Sequence, residues 1–315
     1  MSLPVTDVLI HIGYHKTGSS WLQQHLFSRQ SAGFGWLGKS AGGPVRRFVD
    51  DDPLDFDASS LRQALEPLLE GPRGRGLLPV LSMERLSGHP FSGGYDCKEI
   101  ADRLAAVLPE GSVLVVVREQ RSMIASTYKQ YVRAGGAGTV EQFLDPPRSK
   151  SRRVPWFDPR YFEYDRLLRH YVSLFGADRV LCLPFEQLAS DGPAFAGAIA
   201  RFAGRPFGQE ELGALPYDDR SNQAPSAAGT ERQRRRNKLG VRSELNPTPV
   251  FGAATFERLS PELVARALRP RRDAAELERR LNETVDAFVG DRYAESNRRT
   301  ADLARVDLAA FGWRL

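Results

Sequence analysis

Residues 8–21 read VLIHIGYHKTGSSW, and this stretch decides the fold. Val8 to Ile12 is rich in β-branched residues and short enough for a buried parallel strand. Apolar residues return at helical spacing from Trp21 onward, which predicts a helix that begins near Ser19. The first turn of a helix has N–H groups without intrahelical partners and the positive end of the dipole. The turn before this helix is therefore a candidate phosphate-binding loop.

The order of the loop residues differs from that of a Walker A loop. In the Walker pattern, G-x-x-x-x-G-K-[ST], the lysine follows the second glycine and precedes a hydroxyl that binds magnesium. Here Lys16 lies between Gly13 and Gly18, and the order is G-x-x-K-T-G-S-S. The two glycines allow close approach of an anion and the lysine adds a mobile cation. Glycine-rich turns of this kind also connect strands to helices without binding anything.

A second strand and helix supply another anion-binding candidate. Residues 112–118, SVLVVVR, predict a buried strand that ends at Arg118, and residues 121–133 predict an amphipathic helix. Ser126 follows Arg118 by eight residues, on the polar stripe of that helix. The two side chains are therefore expected to face one anion.

In these two motifs the chain resembles sulfotransferases that use 3'-phosphoadenosine-5'-phosphosulfate (PAPS). The resemblance implies that Lys16 contacts the bridging or leaving oxygen and that Arg118 and Ser126 bind the 3'-phosphate. It implies no metal, and no cluster in the sequence has convincing metal-ligand spacing. The 5'-phosphate would be held by backbone or hydroxyl donors of Thr17, Gly18, Ser19, Ser20 and Trp21.

The acceptor hydroxyl requires a proton acceptor, and two residues are candidates. Glu84 follows an apolar run in LLPVLSMERLSG, at the carboxyl end of a predicted strand. Some sulfotransferases similar to this chain use a glutamate at a comparable point and others a histidine, which makes His89 the competing base. His15, beside Lys16, either contacts the sulfate or acceptor or fixes the loop backbone.

The predicted architecture is an α/β fold with a doubly wound, mainly parallel sheet, P-loop-like and flanked by helices. Four apolar runs are the expected strands: Val8 to Ile12, Leu77 to Ser82, Val113 to Val117 and Arg179 to Leu183. Residues 40–58, rich in Gly, Pro and Asp, are expected to form a loop. We expect one domain over 1–315, with a loop or lid at about 204–256 and helices at about 257–315.

The expected lid contains a loose match to an N-x-S-type segment that bacterial sulfotransferases commonly have near the nucleotide. On this basis the resemblance implies that Asn222 and Ser226 also bind the nucleotide. A basic run at 232–238 follows, which fits an anionic acceptor, a lid over the nucleotide or simple solvation. The YAESNRR stretch at 293–299 also resembles the family's C-terminal end.

Composition limits the other classes of function. The chain has 315 residues, is 41% hydrophobic and carries a net charge of +5, which suits anionic ligands. The sequence has no basic stripe interleaved with aromatic residues, which is the pattern typical of proteins that bind single-stranded nucleic acid. With two cysteines and neither a signal-peptide pattern nor a long apolar run, the sequence predicts a cytoplasmic protein without a transmembrane segment. The oligomeric state is not predicted.

Three functions follow from the sequence. The first is sulfuryl transfer from PAPS to a hydroxyl on a carbohydrate or small metabolite. The second is a P-loop kinase for a small molecule, which the lysine position and Arg118, in place of a Walker B acid, disfavour. The third is a non-catalytic nucleotide-binding module.

Overall fold

The computed structural model describes residues 7–38, 42–146, 157–205, 207–219, 225–251, 255–256, 258, 260–270 and 272–315. These residues form a five-stranded sheet in the order β2-β3-β1-β4-β5, and every strand pair in it is parallel. The predicted α/β class with a parallel sheet is confirmed. The strands are β1 (Leu9–His11), β2 (Phe34–Trp36), β3 (Leu78–Ser82), β4 (Ser112–Val117) and β5 (Val180–Pro184).

The first strand lies at the centre of the sheet. Leu9 is paired with Val80 of β3 on one side and with Ser112 of β4 on the other. The chain adds β2 and β3 to one side of β1 and then crosses to the other side for β4 and β5. The reversal lies between β1 and β4, which is where ligands bind on open parallel sheets.

Helices connect and cover the strands. Helix α1 continues directly into a π-helical segment at Leu22–Phe27. The α-helices are α1 (Ser19–Trp21), α2 (Gly42–Asp50), α3 (Ala58–Arg73), α4 (Cys97–Val107), α5 (Gln120–Arg133), α6 (Val140–Leu144), α7 (Tyr164–Phe175), α8 (Phe185–Ser190), α9 (Gly192–Phe202), α10 (Gln209–Gly213), α11 (Ala227–Gly240), α12 (Pro261–Leu268), α13 (Ala274–Val289) and α14 (Ala294–Ala304).

Alternate residues of the strands face two apolar layers. Ile10, Val113 and Val115 pack in a larger layer with α3, α4, α5 and α7. Leu9, Leu114 and Val116 pack in a smaller layer with the first helix and α9. Strands covered on both faces have continuous apolar sequences, which explains why four of them were predicted.

Two segments differ from the sequence prediction. The loop expected at 40–58 is wrong in part, because α2 occupies Gly42–Asp50 and buries Val45 and Phe48. In the expected lid, Ala227–Gly240 forms α11, which packs against α5 and α13. No helix within the described residues is long and apolar enough to cross a membrane.

Candidate active site

The carboxyl ends of three neighbouring strands carry the candidate residues. The loop with Lys16 follows the central strand, Glu84 follows β3 and Arg118 follows β4. Since β1 lies between β3 and β4, the glutamate and the arginine flank the lysine loop from opposite sides. The parallel topology thus brings together groups that are far apart in sequence.

The loop backbone has two residues in the left-handed region. Lys16 has φ +67° and Gly18 has φ +82°. Thr17 is buried, and its hydroxyl donates to the main-chain oxygen of Tyr14 at 2.5 Å. Gly18 is the N-cap of α1 and supplies no side-chain cap, so this end of the helix retains N–H groups to donate. Ser19 is buried and its Oγ makes no hydrogen bond to the described residues.

Arg118 connects the second motif to the loop. Its Nη1 donates to the main-chain oxygen of Lys16 at 3.1 Å, and its Nε donates to Ser122 Oγ at 2.9 Å. The guanidinium also lies over the ring of Phe185, 5.0 Å from the centroid. Ser126 is buried one helical turn beyond Ser122. The structure therefore brings Arg118 to the lysine loop, while Ser122 is its observed hydroxyl partner.

Lys16 lies in a mixed electrostatic environment. Burial lowers the pKa of its ammonium group, and the charge of Glu84 opposes that effect. The charges of Arg133 and Arg118 lower the pKa further. Because positive groups surround the lysine, an anion bound there would relieve their mutual repulsion.

Glu84 and His15 lie side by side. His15 Nδ1 is 3.5 Å from Glu84 Oε2, and 36% of the glutamate side chain is exposed. Burial raises the pKa of Glu84, while the nearby Ser19 hydroxyl and Lys16 lower it. Burial, together with the charges of His89, Arg85 and Lys16, lowers the pKa of His15 to about 4. His15 is thus neutral at pH 7, and neither ring nitrogen makes a hydrogen bond to a described residue.

His89 is held in the loop after Glu84. Its Nδ1 lies 3.1 Å from Ser92 Oγ, and its backbone N–H donates to Asp96 Oδ1 at 3.2 Å. Burial and the charge of Arg85 lower the pKa of His89, which Asp96 and Glu244 oppose. The charge of His89 also acts on His15, so the two histidines share one electrostatic environment.

The Arg85–Asp96 pair was missed by the sequence analysis. Arg85 Nη2 donates to the Asp96 carboxylate, which also receives the His89 N–H. The signal was present, because an arginine follows the candidate base and an aspartate precedes α4. An aspartate at that point indicates a helix cap, but the Asp96 side chain makes no cap hydrogen bond.

Glu186 anchors the strand end that carries Arg118. Its Oε1 accepts from the backbone N–H of Glu119 at 2.9 Å, and its Oε2 accepts from Trp313 Nε1 at 3.2 Å. Glu119 in turn caps α5 by accepting from the N–H of Ser122. The C-terminal segment thereby fixes the position of the arginine.

The remaining predicted residues have separate environments. Trp21 donates from Nε1 to the main-chain oxygen of Pro216 at 2.9 Å and stacks on Tyr217. Its side chain therefore packs against the segment that contains these two residues. Ser20 is half-buried on the first turn of α1. Ser226 is the N-cap of α11, where its Oγ accepts from Gly229 N. Asn222 lies outside the described residues. Among those described, no group of three or more His, Cys, Asp or Glu residues is placed to hold a metal ion.

Comparison with known proteins finds one similar family. Residues 98–209, a little over a third of the chain, match the sequence profile described as the sulfotransferase family. This segment includes β4, Arg118 and α5. The matched segment is similar to the sulfotransferase family, in agreement with the resemblance that the two motifs indicate.

A solved structure shares the fold over the whole length. The sulfotransferase from Alicyclobacillus acidocaldarius is 17% identical, with a TM-score of 0.53 that covers 99% of this chain and 100% of that one. The sulfotransferase domain of the Synechococcus PCC 7002 olefin synthase is 13% identical, with a TM-score of 0.40 over 90% of this chain and 95% of that chain. The comparison with curated proteins finds no match.

Proposed function

We propose that the protein transfers a sulfuryl group from PAPS to a hydroxyl of a carbohydrate or small metabolite. The observation that carries this proposal is the hydrogen bond from Arg118 to the main-chain oxygen of Lys16, at 3.1 Å. It supports a single cleft with cations for both charged ends of a doubly phosphorylated nucleotide. The family match and the shared fold support the sulfotransferase reaction.

The loop residues fit the 5'-phosphosulfate of the donor. The N-terminus of α1 offers N–H groups without a side-chain cap, and Ser19 offers a buried hydroxyl close to Glu84. The Thr17 hydroxyl is used inside the loop, so we assign only its backbone N–H to the donor. Arg118 and Ser126 are assigned to the 3'-phosphate.

The chemical step is an in-line displacement at sulfur. The acceptor oxygen forms a bond to sulfur while the bond from sulfur to the 5'-phosphate oxygen breaks. The acceptor proton passes to the Glu84 carboxylate, and adenosine 3',5'-bisphosphate leaves. Lys16 balances the charge that develops on the leaving oxygen, because a fixed cation there stabilises the transition state more than the ground state.

Glu84 is preferred over His89 as the base. The charge of Glu84 acts on Lys16, so the two side chains share one electrostatic environment. Its raised pKa also makes it a stronger base than an ordinary carboxylate. His89 remains the alternative base, because its lowered pKa keeps the imidazole neutral at pH 7.

Isothermal titration with adenosine 3',5'-bisphosphate tests the proposal. We expect binding to the natural protein and loss of binding in Lys16→Ala and in Arg118→Ala. Lys98→Ala is the matched control, because Lys98 is exposed on α4 and paired with Asp102. Tight binding of magnesium ATP without binding of the bisphosphate would instead establish the kinase. Bisphosphate binding with no acceptor-dependent sulfate transfer across a broad hydroxyl panel would establish the non-catalytic module.

A further inference from the structure

A second pocket lies apart from the lysine loop. It has a volume of about 150 Å³ and is bounded by α5, the start of α6, α11 and α13. One buried water needs about 10–15 Å³ measured in this way, so the pocket admits a ligand of several atoms. None of its lining residues belongs to the 13–20 loop, and neither Glu84 nor Arg118 lines it.

Charge in this pocket is strongly positive. Four arginines line it against two glutamates, Glu141 and Glu231. Burial raises the pKa of Glu231, but hydrogen bonds from two of the arginines outweigh burial and lower it overall, so this carboxylate stays ionised. The guanidinium groups outnumber the carboxylates by two. The arginines are Arg234, Arg235, Arg272 and Arg280.

Two of the arginines are committed to the fold and two are not. Arg234 and Arg235 both donate to Glu231 and also to main-chain oxygens. Arg272 lies 3.9 Å from Glu276, and Arg280 lies 3.8 Å from Glu141. Contacts of that length are beyond hydrogen-bond distance, so these two guanidinium groups retain donors for a ligand.

A buried hydroxyl completes the lining. Thr230 on α11 is 3% exposed, and its Oγ1 makes no hydrogen bond to the described residues. A buried polar atom without a partner costs free energy, and such atoms in native proteins often mark the place of a missing ligand or water. Apolar contacts from Val140, Leu277 and Leu281 surround this polar centre.

We propose that this arginine pocket binds a compact oxyanion, a phosphate or sulfate group, through Arg272, Arg280 and Thr230. Planar guanidinium groups bind tetrahedral oxyanions with paired hydrogen bonds, and a threonine hydroxyl donates a further one. The ion is either inorganic or the terminal group of a small organic molecule. The site is independent of the proposed sulfate donor and of its cleft.

Thermal unfolding in potassium phosphate, compared with potassium chloride at equal ionic strength, tests this site. Adenosine 3',5'-bisphosphate is present at saturation so that the donor cleft is filled. We expect phosphate to raise the melting temperature, because an ion that binds only the folded state stabilises it. Titration calorimetry should give at least a tenfold weaker phosphate affinity in Arg280→Gln and in Thr230→Val. Arg279→Gln is the control, because Arg279 lies on the same helix and pairs with Glu276 and Glu283.

The failure of this proposal is distinguishable from failure of the sulfotransferase proposal. Phosphate binding that persists in Lys16→Ala without bisphosphate, but not in Arg280→Gln, supports the arginine pocket whatever the donor is. Phosphate binding that is lost in Lys16→Ala and unchanged in Arg280→Gln and Thr230→Val overturns it. Glucose 6-phosphate identifies the source: tighter binding than inorganic phosphate indicates an organic ligand, and equal or weaker binding indicates the free ion.

Discussion

Arg118 Nη1 lies 3.1 Å from the main-chain oxygen of Lys16, although the two residues are 102 positions apart in sequence. The same guanidinium donates to Ser122 from Nε. The arginine thus holds the backbone of the lysine loop while it remains beside the position proposed for the 3'-phosphate. Its role in binding and its role in loop geometry are therefore coupled.

We expect Arg118→Lys to weaken bisphosphate binding although the charge is kept. A lysine cannot donate in the fixed directions that reach both Ser122 and Lys16. The dissociation constant should rise at least tenfold, or about 1.4 kcal/mol, in titration calorimetry. Arg121→Lys is the control, because Arg121 lies three residues after Arg118, on α5, but pairs with Glu119 and Asp286. Equal affinities of the two variants would contradict the assignment.

Glu84→Gln should reduce turnover by a factor of about 10² to 10⁴ while bisphosphate affinity stays within a few fold. The amide keeps the shape of the side chain but cannot accept the proton. Sulfate transfer to an acceptor, measured beside calorimetry, separates the two effects. An active Glu84→Gln enzyme together with an inactive His89→Ala enzyme would transfer the role of base to His89.

The dependence of activity on pH in the natural enzyme should also test Glu84 as the base. The base must be ionised, and burial raises the pKa of Glu84 above its ordinary value. Activity is therefore expected to rise with pH through this raised pKa, and to fall as the pH is lowered through it. Values of kcat/KM, determined from initial rates across the acid pH range, provide the measurement. A flat profile down to the pKa of an ordinary glutamate would contradict a carboxylate base with a raised pKa.

Stability should decrease on acidification because two buried histidines resist protonation. Burial lowers the pKa of His11 to about 3 and is the main cause of the lowered pKa of His15, about 4. The unfolded chain binds protons below about pH 6.5 while the folded chain does not, so unfolding becomes more favourable as pH falls. Each histidine should cost about 2 kcal/mol between pH 7 and pH 5.

Urea unfolding at the two pH values measures this loss. His11→Asn removes one titrating group and keeps an amide for the contact that His11 Nδ1 makes with Ser82 at 2.8 Å. In this variant the free energy of unfolding should fall less between pH 7 and pH 5. The difference should be about half of what the two histidines contribute together. An identical loss in His11→Asn and the natural protein would show that His11 is not responsible.

Gly18→Ala should destabilise the protein by about 1–2 kcal/mol. Gly18 has φ +82°, where a Cβ is strained, and a Cβ there would lie 3.0 Å from the ring of Phe185. Gly213→Ala is the matched control, because it has open space and no left-handed backbone. Denaturant unfolding compares the two, and similar stabilities would indicate that the loop relaxes at no cost.

Much of this fold could be predicted because buried parallel strands have distinctive apolar runs. The apolar runs that overlap β1, β3, β4 and β5 were all recognised in the sequence. Strand β2 was not, because Phe34–Trp36 is only three residues long and its centre is a glycine. Helix α2 was missed because its first turn contains Gly42, Gly43 and Pro44, which are typical of loops.

The candidate site was predictable in its motifs but not in its contacts. The sequence places Lys16, Glu84 and Arg118 at strand ends, and the strand order then brings them together. Local periodicity contains no information on the neighbours of His15, because its burial comes from segments far away in sequence. For the same reason the sequence did not indicate the hydrogen bond from Arg118 to Ser122, although Ser122 lies on the same polar stripe of α5 as Ser126.

The contacts of Glu186 have a consequence for biosynthesis. This carboxylate holds the start of α5 on one side and Trp313 on the other. During translation the segment with Trp313 leaves the ribosome long after β4 and α5 have emerged. Helix α5 therefore gains this anchor only after residue 313 has been synthesised, and nascent chains that stop before residue 313 should hold nucleotide less firmly than chains that include it.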